Sequence, residues 1–136
     1  MSVMEIMTKG PLTVTPLETV AQADELMVAN KIRQLPIVEK NELVGIITDR
    51  DIRSFLGSSL LDSAEMREKA LNTPVREIMT TEPITISPDD DLEEVVELLI
   101  DEKMGGIPVV DEEEGLVGIV TYVDVLRYFL SRLQED

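Results

Sequence analysis

The sequence contains no cysteine, no histidine and no tryptophan among its 136 residues. Without cysteine and histidine, the chain cannot form disulfides, use a thiol or an imidazole in catalysis, or build a zinc finger. The absence of cysteine is consistent with the cytosol, and the first residues lack the apolar stretch of a signal peptide. We therefore expect a cytoplasmic protein.

Long apolar runs, aromatic residues and positive charges are also scarce. No run approaches the ~20 apolar residues that cross a bilayer. The chain has twelve Lys and Arg against 28 Asp and Glu, and the resulting net charge of −16 repels nucleic acids and anionic membranes. Two Tyr and two Phe are too few to suggest a base-stacking platform. The sequence therefore predicts neither a nucleic-acid partner nor a membrane partner.

What the sequence does contain is a duplicated motif. Residues 3–16 (VMEIMTKGPLTVTP) and 75–88 (VREIMTTEPITISP) are identical at eight of fourteen positions. KIRQLPIV (31–38) matches KMGGIPVV (103–110), and LVGIITDRD (43–51) matches LVGIVTYVD (116–124). We place the first copy at residues 1–61 and the second at 74–136, joined by a polar, partly helical linker at 62–73. Because about sixty residues bury too little surface alone, the two copies are expected to form one module.

Each copy reads as strand, helix, strand, strand, helix. Thr15-Pro16-Leu17-Glu18 and Ser87-Pro88-Asp89-Asp90 resemble helix starts, with Thr or Ser at the N-cap and Pro in the first turn. A hairpin follows each helix, with its first strand beginning at a proline (Pro36 or Pro108). Helical spacing predicts one buried face in each first helix, formed by Val20, Ala23, Met27 and Val28 in the first copy and by Leu92, Val95, Val96, Leu99 and Ile100 in the second.

The order, spacing and duplication of these pieces resemble a tandem pair of cystathionine-β-synthase (CBS) domains, also called a Bateman module. The resemblance rests on VxxIMT…TVTP, on LPIVE and IPVVD, and on GIITDRD and GIVTYVD. It implies a mixed α/β (α+β) fold in which two pseudo-symmetric motifs, each β-α-β-β-α, pack sheet to sheet. It also implies an adenosine-type ligand (AMP, ADP, ATP or S-adenosylmethionine), a homodimer, and regulation of another protein.

The pattern G-x-x-T-x-x-D occurs in both copies, ending at Asp51 and at Asp124. One interpretation is a capping box, in which Thr48 or Thr121 caps a helix and the aspartate lies three residues later. The other is a ligand site, because a carboxylate offers two oxygens to the vicinal hydroxyls of a ribose and a helix start favours phosphate. The two interpretations do not exclude each other.

The resemblance further implies that each site combines both copies. Thr48, Arg50 and Asp51 would face Arg76, Thr80 and Thr81 at one site, and Thr121 and Asp124 would face Met4, Thr8 and Lys9 at the other. The residues that precede the proline strands would line the pockets: Ile32, Arg33, Met104 and Gly105.

The two sites differ in charge. Arg33 and Arg50 are candidates for phosphate contacts, since a guanidinium can form two parallel hydrogen bonds to a phosphate. The alternative interpretation is that both are solvated surface charges. Val123 and Gly105 hold the matching positions, so we expect the Arg50 side to handle polyphosphate better.

Other motifs are interpreted structurally. The acidic runs at 89–91 and 112–114 are interpreted as solvated faces in a first helical turn and a hairpin turn rather than as a metal site. Met7 and Met79 are interpreted as core residues.

Three functions are considered: a sensor, a scaffold and an enzyme such as a nucleotide hydrolase. The leading one is a sensor of adenosine-type ligands that signals to a separate effector protein, since the chain ends soon after the second copy. The alternative is a nucleotide-free dimerisation or scaffolding module. No P-loop, G-x-S-x-G, His or Cys is present, so we expect neither an enzyme nor a required cofactor.

Overall fold

Two three-stranded sheets and five α-helices make up the part of the chain that the computed structural model describes, residues 1–57 and 63–135. This arrangement confirms the predicted mixed α/β class. The repeat boundary at Leu61 and Asp62 lies outside the described residues. The helices are α1 (Val20–Asn30), α2 (Asp49–Leu56), α3 (Ala64–Leu71), α4 (Leu92–Glu102) and α5 (Tyr122–Leu133). The strands are β1 (Thr8–Lys9), β2 (Gln34–Glu39), β3 (Glu42–Thr48), β4 (Thr80–Thr81), β5 (Gly106–Asp111) and β6 (Gly115–Thr121).

The chain divides into two structural units, and the leading segment of each copy (residues 1–11 and 74–83) belongs to the unit that contains the rest of the other copy. Unit 1 consists of Met1–Pro11 and Ile84–Asp136, and unit 2 of Leu12–Pro83. The sheet of unit 1 has the order β1-β6-β5, and that of unit 2 the order β2-β3-β4, with every neighbouring pair antiparallel. The two-residue strand of each sheet therefore comes from the leading segment of the other copy.

The hairpin turns explain why the offset between the matched segments grows by one residue, from 72 at KIRQLPIV to 73 at LVGIITDRD. In unit 2 the turn is made by Lys40 and Asn41, both at positive φ (52° and 67°), as a two-residue turn between antiparallel strands requires. In unit 1 the longer turn ends at Gly115 (φ 79°), and the carboxylate of Asp111 accepts the N–H of Glu113 at 2.8 Å. The extra residue of the second copy therefore lies in the hairpin turn, which the side chain of Asp111 stabilises.

Helix α1 begins one turn later than the sequence predicts. Thr15–Glu18 form a turn in which the N–H of Glu18 donates to the carbonyl of Thr15 (3.1 Å). The N-cap is Thr19, whose hydroxyl accepts the N–H of Gln22 (3.1 Å) in a full capping box. The N–H of Val20 donates to the carbonyl of Thr73 (2.9 Å), and this pairing holds the preceding backbone extended. The predicted N-cap at Thr15 is therefore wrong.

The second copy shows the same shift at Ser87–Asp90, which form a turn before the N-cap Asp91 of α4. Here the N–H of Leu92 donates to the carbonyl of Met1 (2.9 Å), and the N–H of Val3 donates to the carbonyl of Asp90 (3.0 Å). The predicted start at Ser87 is wrong for the same reason. The acidic run at 89–91 consequently precedes the first helical turn.

The buried stripe on each first helix is narrower than predicted. Val28 and Ile100 are 71% and 67% exposed, so their assignment to the buried face is wrong. At 100° per residue, Val28 lies about 140° around the helix from the buried Ala23. The buried residues that face the cores are Val20, Ala23 and Met27 on α1, and Leu92, Val95 and Leu99 on α4. Val96 packs partly buried against the core of unit 1, as predicted.

Pro36 and Pro108 are the third residues of β2 and β5, not the first as predicted. They are tolerated there because both strands lie at the edges of their sheets. Helix α3 confirms the predicted helical content of the linker.

Each unit has its own apolar core. The core of unit 2 contains the fully buried Leu35, Ile37 and Ile47, and that of unit 1 contains Ile107 and Val109. Met79 packs against the core of unit 2 and Met7 against the core of unit 1, which confirms that both methionines are packing residues.

Candidate functional site

Both T-x-x-D motifs lie where a central strand passes into a helix. Thr48 ends β3 and caps α2, and Thr121 ends β6 and caps α5. The Thr hydroxyls accept the N–H of Asp51 (3.1 Å) and of Asp124 (3.3 Å), and each aspartate accepts the N–H of its threonine in return. The capping-box interpretation is therefore confirmed in both copies. The boxes fix each carboxylate at the start of a helix.

A threonine from the other copy stands beside each motif. In unit 1, β1 pairs with β6 so that Thr8 lies opposite Ile119. In unit 2, β4 pairs with β3 in the matching register, with Thr80 opposite Ile46. Lys9 and Thr81 occupy the next positions, opposite Gly118 and Gly45. The leading segment of one copy is thus brought to the T-x-x-D strand of the other copy, within a single structural unit.

Gly45 and Gly118 permit this close approach. A Cβ on Gly118 would lie 2.6 Å from the Sδ of Met7 and 2.9 Å from the carbonyl oxygen of Thr8. A Cβ on Gly45 would meet Met79 and Thr80 at the same two distances. The sequence interpretation gave these glycines no role. A glycine repeated at matching positions inside an apolar strand is the signal for such an approach.

The carboxylate of Asp124 is buried and accepts three hydrogen bonds. Its residue is only 7% exposed. Oδ1 accepts the hydroxyl of Thr8 at 2.9 Å, while Oδ2 accepts the N–H of Thr121 at 2.8 Å and its hydroxyl at 3.1 Å. A buried carboxylate needs such donors to offset its desolvation.

The carboxylate of Asp51 is half-buried and less engaged. Its Oδ2 accepts the N–H of Thr48 at 2.9 Å. Across residues 1–57 and 63–135, no side-chain hydrogen bond joins Asp51 to Thr80, the counterpart of Thr8. Asp51 therefore has more acceptor capacity open to a ligand than Asp124.

Arg33 and Arg50, the candidates for phosphate contacts, lie at the start of α2. The carbonyl of Arg33 accepts the N–H of Asp49 at 2.9 Å, which anchors its backbone to the first helical residue. Arg50 is the second residue of α2, and both Arg side chains are exposed. Within the described part of the chain, neither forms an ion pair with an acidic side chain. At α5 the corresponding anchor is the carbonyl of Gly105, which accepts the N–H of Tyr122 at 3.2 Å.

Four candidate ligand-binding residues remain, Met4, Arg76, Ile32 and Met104. Met4 and Arg76 are exposed on matching single turns of 3₁₀-helix, Val3–Glu5 and Val75–Glu77. In the described residues, no hydrogen bond or ion pair joins either side chain to an aspartate of the two motifs. Ile32 and Met104 precede β2 and β5 and pack partly buried against the cores of units 2 and 1.

The described ranges 1–57 and 63–135 lack two other kinds of site. No group of three or more acidic side chains there is placed to hold a metal ion. No helix in those ranges has the length and apolar character needed to span a bilayer.

Comparison with known families yields two matches to the same model, the CBS domain, at residues 3–58 and 75–131. Protein MJ1225 of Methanocaldococcus jannaschii is 38% identical over 137 residues; the match covers 94% of this chain. The chain spans about half (49%) of the length of that curated relative.

Two solved structures extend the likeness to the whole fold. CBSX2 in complex with AMP superposes with a TM-score of 0.82 at 30% identity, and 98% of each chain is covered. The CBS domain pair of protein MJ0100, in complex with 5′-methylthioadenosine and S-adenosyl-L-methionine, superposes with a TM-score of 0.81 at 31% identity, covering 97% of this chain and 98% of that chain.

Proposed function

Because the chain belongs to the CBS-domain family, we propose that it is a regulatory module that binds an adenosine-type ligand at its two T-x-x-D sites and signals to a separate protein. The observation that carries this proposal is the matched pair of carboxylates, Asp51 and Asp124, each fixed by a capping box beside a strand from the other copy. The similar structures hold AMP, 5′-methylthioadenosine and S-adenosylmethionine. These three ligands share an adenosine with vicinal ribose hydroxyls.

Each part of the ligand has a matching group at the site. The aspartate accepts the ribose hydroxyls in charge-assisted hydrogen bonds. In unit 2, Arg33 and Arg50 supply positive charge for phosphates at the start of α2, in a chain that is otherwise strongly acidic. The partly buried Ile32 and Met104 supply apolar surface for the base. Thr8 and Thr80 flank the carboxylates from the neighbouring strands.

Regulation follows from the binding energy. A ligand shifts a conformational equilibrium only by the difference between its affinities for the two states, and the partner protein reads the shift. No step of the proposal is catalytic.

Calorimetric titration with AMP, ADP, ATP and S-adenosylmethionine tests the proposal. We expect binding by at least one of them, and at ~100 times Kd a stabilisation of roughly 2.7 kcal/mol in thermal unfolding. The matched control ligand is 2′,3′-dideoxy-AMP, which keeps the base and phosphate but lacks the diol. Loss of two charge-assisted hydrogen bonds weakens its binding at least ~tenfold. Equal affinity for AMP and the dideoxy compound contradicts the assigned role of the carboxylates.

We also propose that the chain forms a homodimer through α5, a surface that suits the alternative scaffolding function as well. Tyr122, Leu126, Phe129 and Leu133 are exposed and lie 4, 3 and 4 residues apart, which aligns them along one side of the helix. About a two-fold axis between residues 127 and 128, Tyr122 opposes Leu133 and Leu126 opposes Phe129. In this symmetric contact, each aromatic ring of one copy therefore packs against an aliphatic side chain of the other copy.

Charge favours a second copy at this surface. The chain carries −16, but α5 contains two Arg and one Asp, so copies that meet there avoid most of their mutual repulsion. The matching surface of α2 instead carries the ion pair of Asp49 and Arg53, at the positions equivalent to Tyr122 and Leu126. The apolar surface is therefore specific to α5 and not a general property of the repeat.

This comparison within the chain supplies the test. Tyr122→Asp combined with Leu126→Arg places the i,i+4 pair of α2 onto α5 and keeps a helix-compatible sequence. Light scattering after size exclusion is expected to show a dimer for the unaltered chain and a monomer for the double variant. Val28→Glu, at an exposed apolar site on α1, is expected to leave the dimer intact. A monomeric unaltered chain contradicts the dimer; a double variant that stays dimeric contradicts the α5 contact.

A further inference from the structure

We propose that Thr8 acts as a latch on Asp124, so that the two sites have unequal affinities and fill in order, the Asp51 site first. This inference rests on the proposed function and concerns how one of its sites is controlled. It starts from the difference between two carboxylates that the repeat makes equivalent in sequence. Asp124 accepts three hydrogen bonds, one of them from Thr8, and Asp51 accepts one.

The backbone does not cause this difference. Thr8 and Thr80 are matching residues, and β1 and β4 pair with their sheets in the same register. The two capping boxes share their backbone hydrogen bonds and differ in that the hydroxyl of Thr121 also donates to Asp124. The latch is therefore an interaction of side chains, made at one site and not at the other within the described residues.

Differences in burial and in neighbouring charge account for the hydrogen bond between Thr8 and Asp124. Asp124 is 7% exposed, and the residues before it on α5, Tyr122 and Val123, are uncharged. A carboxylate in such surroundings is satisfied only by protein donors, and the hydroxyl of Thr8 is one of them. Asp51 is only half-buried, so water can reach its carboxylate, and Asp49 and Arg50 precede it.

The consequence for binding follows from the acceptor capacity of a carboxylate. Two oxygens offer about four lone-pair directions, and a ribose diol needs two of them. At Asp51 these directions are available without loss of a protein hydrogen bond. At Asp124 one direction is open, on Oδ1, so a diol that takes both directions of that oxygen must displace the hydroxyl of Thr8. Exchanging a hydrogen bond to a charged group costs about tenfold in affinity. The Asp124 site therefore responds at a higher ligand concentration than the Asp51 site.

The latch predicts that Thr8 and the ligand compete for Asp124, which is the opposite of a direct Thr8–ligand contact. AMP is titrated calorimetrically into Asp51→Asn protein, in which the Asp124 site is isolated, with and without Thr8→Val. We expect Thr8→Val to strengthen binding about tenfold and Thr8→Ser, which keeps the hydroxyl, to leave it unchanged. The matched comparison is Thr80→Val in Asp124→Asn protein, which is expected not to strengthen binding at the Asp51 site.

A second readout does not need the ligand. In thermal unfolding without nucleotide, Thr8→Val is expected to lower the midpoint because it leaves a buried carboxylate oxygen without its donor. Thr80→Val has no such bond to remove, and Thr85→Val controls for loss of an exposed hydroxyl. Weaker or unchanged AMP binding in Thr8→Val protein overturns the latch and leaves the proposed function standing if the Asp51 site still binds. Failure of every adenosine compound at both sites overturns the proposed function and the latch together.

Discussion

Gly118 lies where β1 approaches β6, and we predict that Gly118→Ala destabilises unit 1. The added Cβ would stand 2.6 Å from the Sδ of Met7 and 2.9 Å from the carbonyl oxygen of Thr8. The sulfur sits on a flexible side chain, but the carbonyl belongs to a paired strand, so β1 itself must move. Overpacking of this kind costs ~1–3 kcal/mol.

A gain in the unfolded state offsets part of this cost. Gly118 is not among the glycines at positive φ, so alanine is compatible with its backbone and stabilises by about 0.4–1 kcal/mol through the entropy of the unfolded chain. The net destabilisation is therefore roughly 0–2.6 kcal/mol. For a chain of this length, it lowers the thermal midpoint by a few degrees.

Urea denaturation of Gly118→Ala, Met7→Ala and the double variant forms a double-mutant cycle that checks this prediction. Since the double variant no longer has the sulfur at 2.6 Å, it should lose less stability than the two single changes added together. Gly45→Ala, with the same two distances to Met79 and Thr80, should behave like Gly118→Ala. A Gly118→Ala protein that is more stable than the unaltered chain would refute the argument from close approach, because only the entropic gain would then remain.

Three further predictions concern the helix start, the core and the charged site. Thr19→Ala should cost about 1 kcal/mol in urea unfolding through loss of the N-cap, and Thr15→Ala much less, whereas equal costs would contradict the observed start of α1. Leu35→Ala should cost ~2–5 kcal/mol because its side chain is fully buried, against under ~0.5 kcal/mol for the exposed Leu17→Ala. Arg50→Ala should weaken ATP binding about tenfold more than AMP binding in calorimetry, and equal effects would refute its role in holding phosphates.

Much of the fold could be predicted because the repeat supplies every local pattern twice. The hairpins after α1 and α4, the helices that follow Thr48 and Thr121, and the capping boxes depend on residues close together in sequence. The core roles of Met7 and Met79 were predictable from residue type. Each of these features is decided by local chemistry.

The features that were missed depend on distant parts of the chain. Thr15 carries a sound N-cap pattern, but pairing of Val20 with Thr73 fixes the helix start one turn later. Similarly, the exposure of Val28 depends on how much of α1 the core covers, which spacing alone does not reveal.

The candidate site divides in the same way. The pattern identified Asp51 and Asp124 together with their capping threonines. It could not distinguish the bonded Thr8 from Thr80, because the residue types are identical and the difference arises from burial and side-chain geometry. Matching residues in a repeat therefore need not have matching environments.

The most direct test of the central claim, that these two carboxylates hold the ribose, is AMP binding by the Asp51→Asn/Asp124→Asn double variant. Asparagine keeps an oxygen that can accept the threonine N–H, so the capping boxes and the thermal midpoint should be largely preserved. Asp101→Asn, an exposed change on α4, controls for loss of charge. The account predicts that calorimetry detects AMP binding in the unaltered and control proteins and none in the double variant. Full-affinity AMP binding by the folded double variant would contradict it.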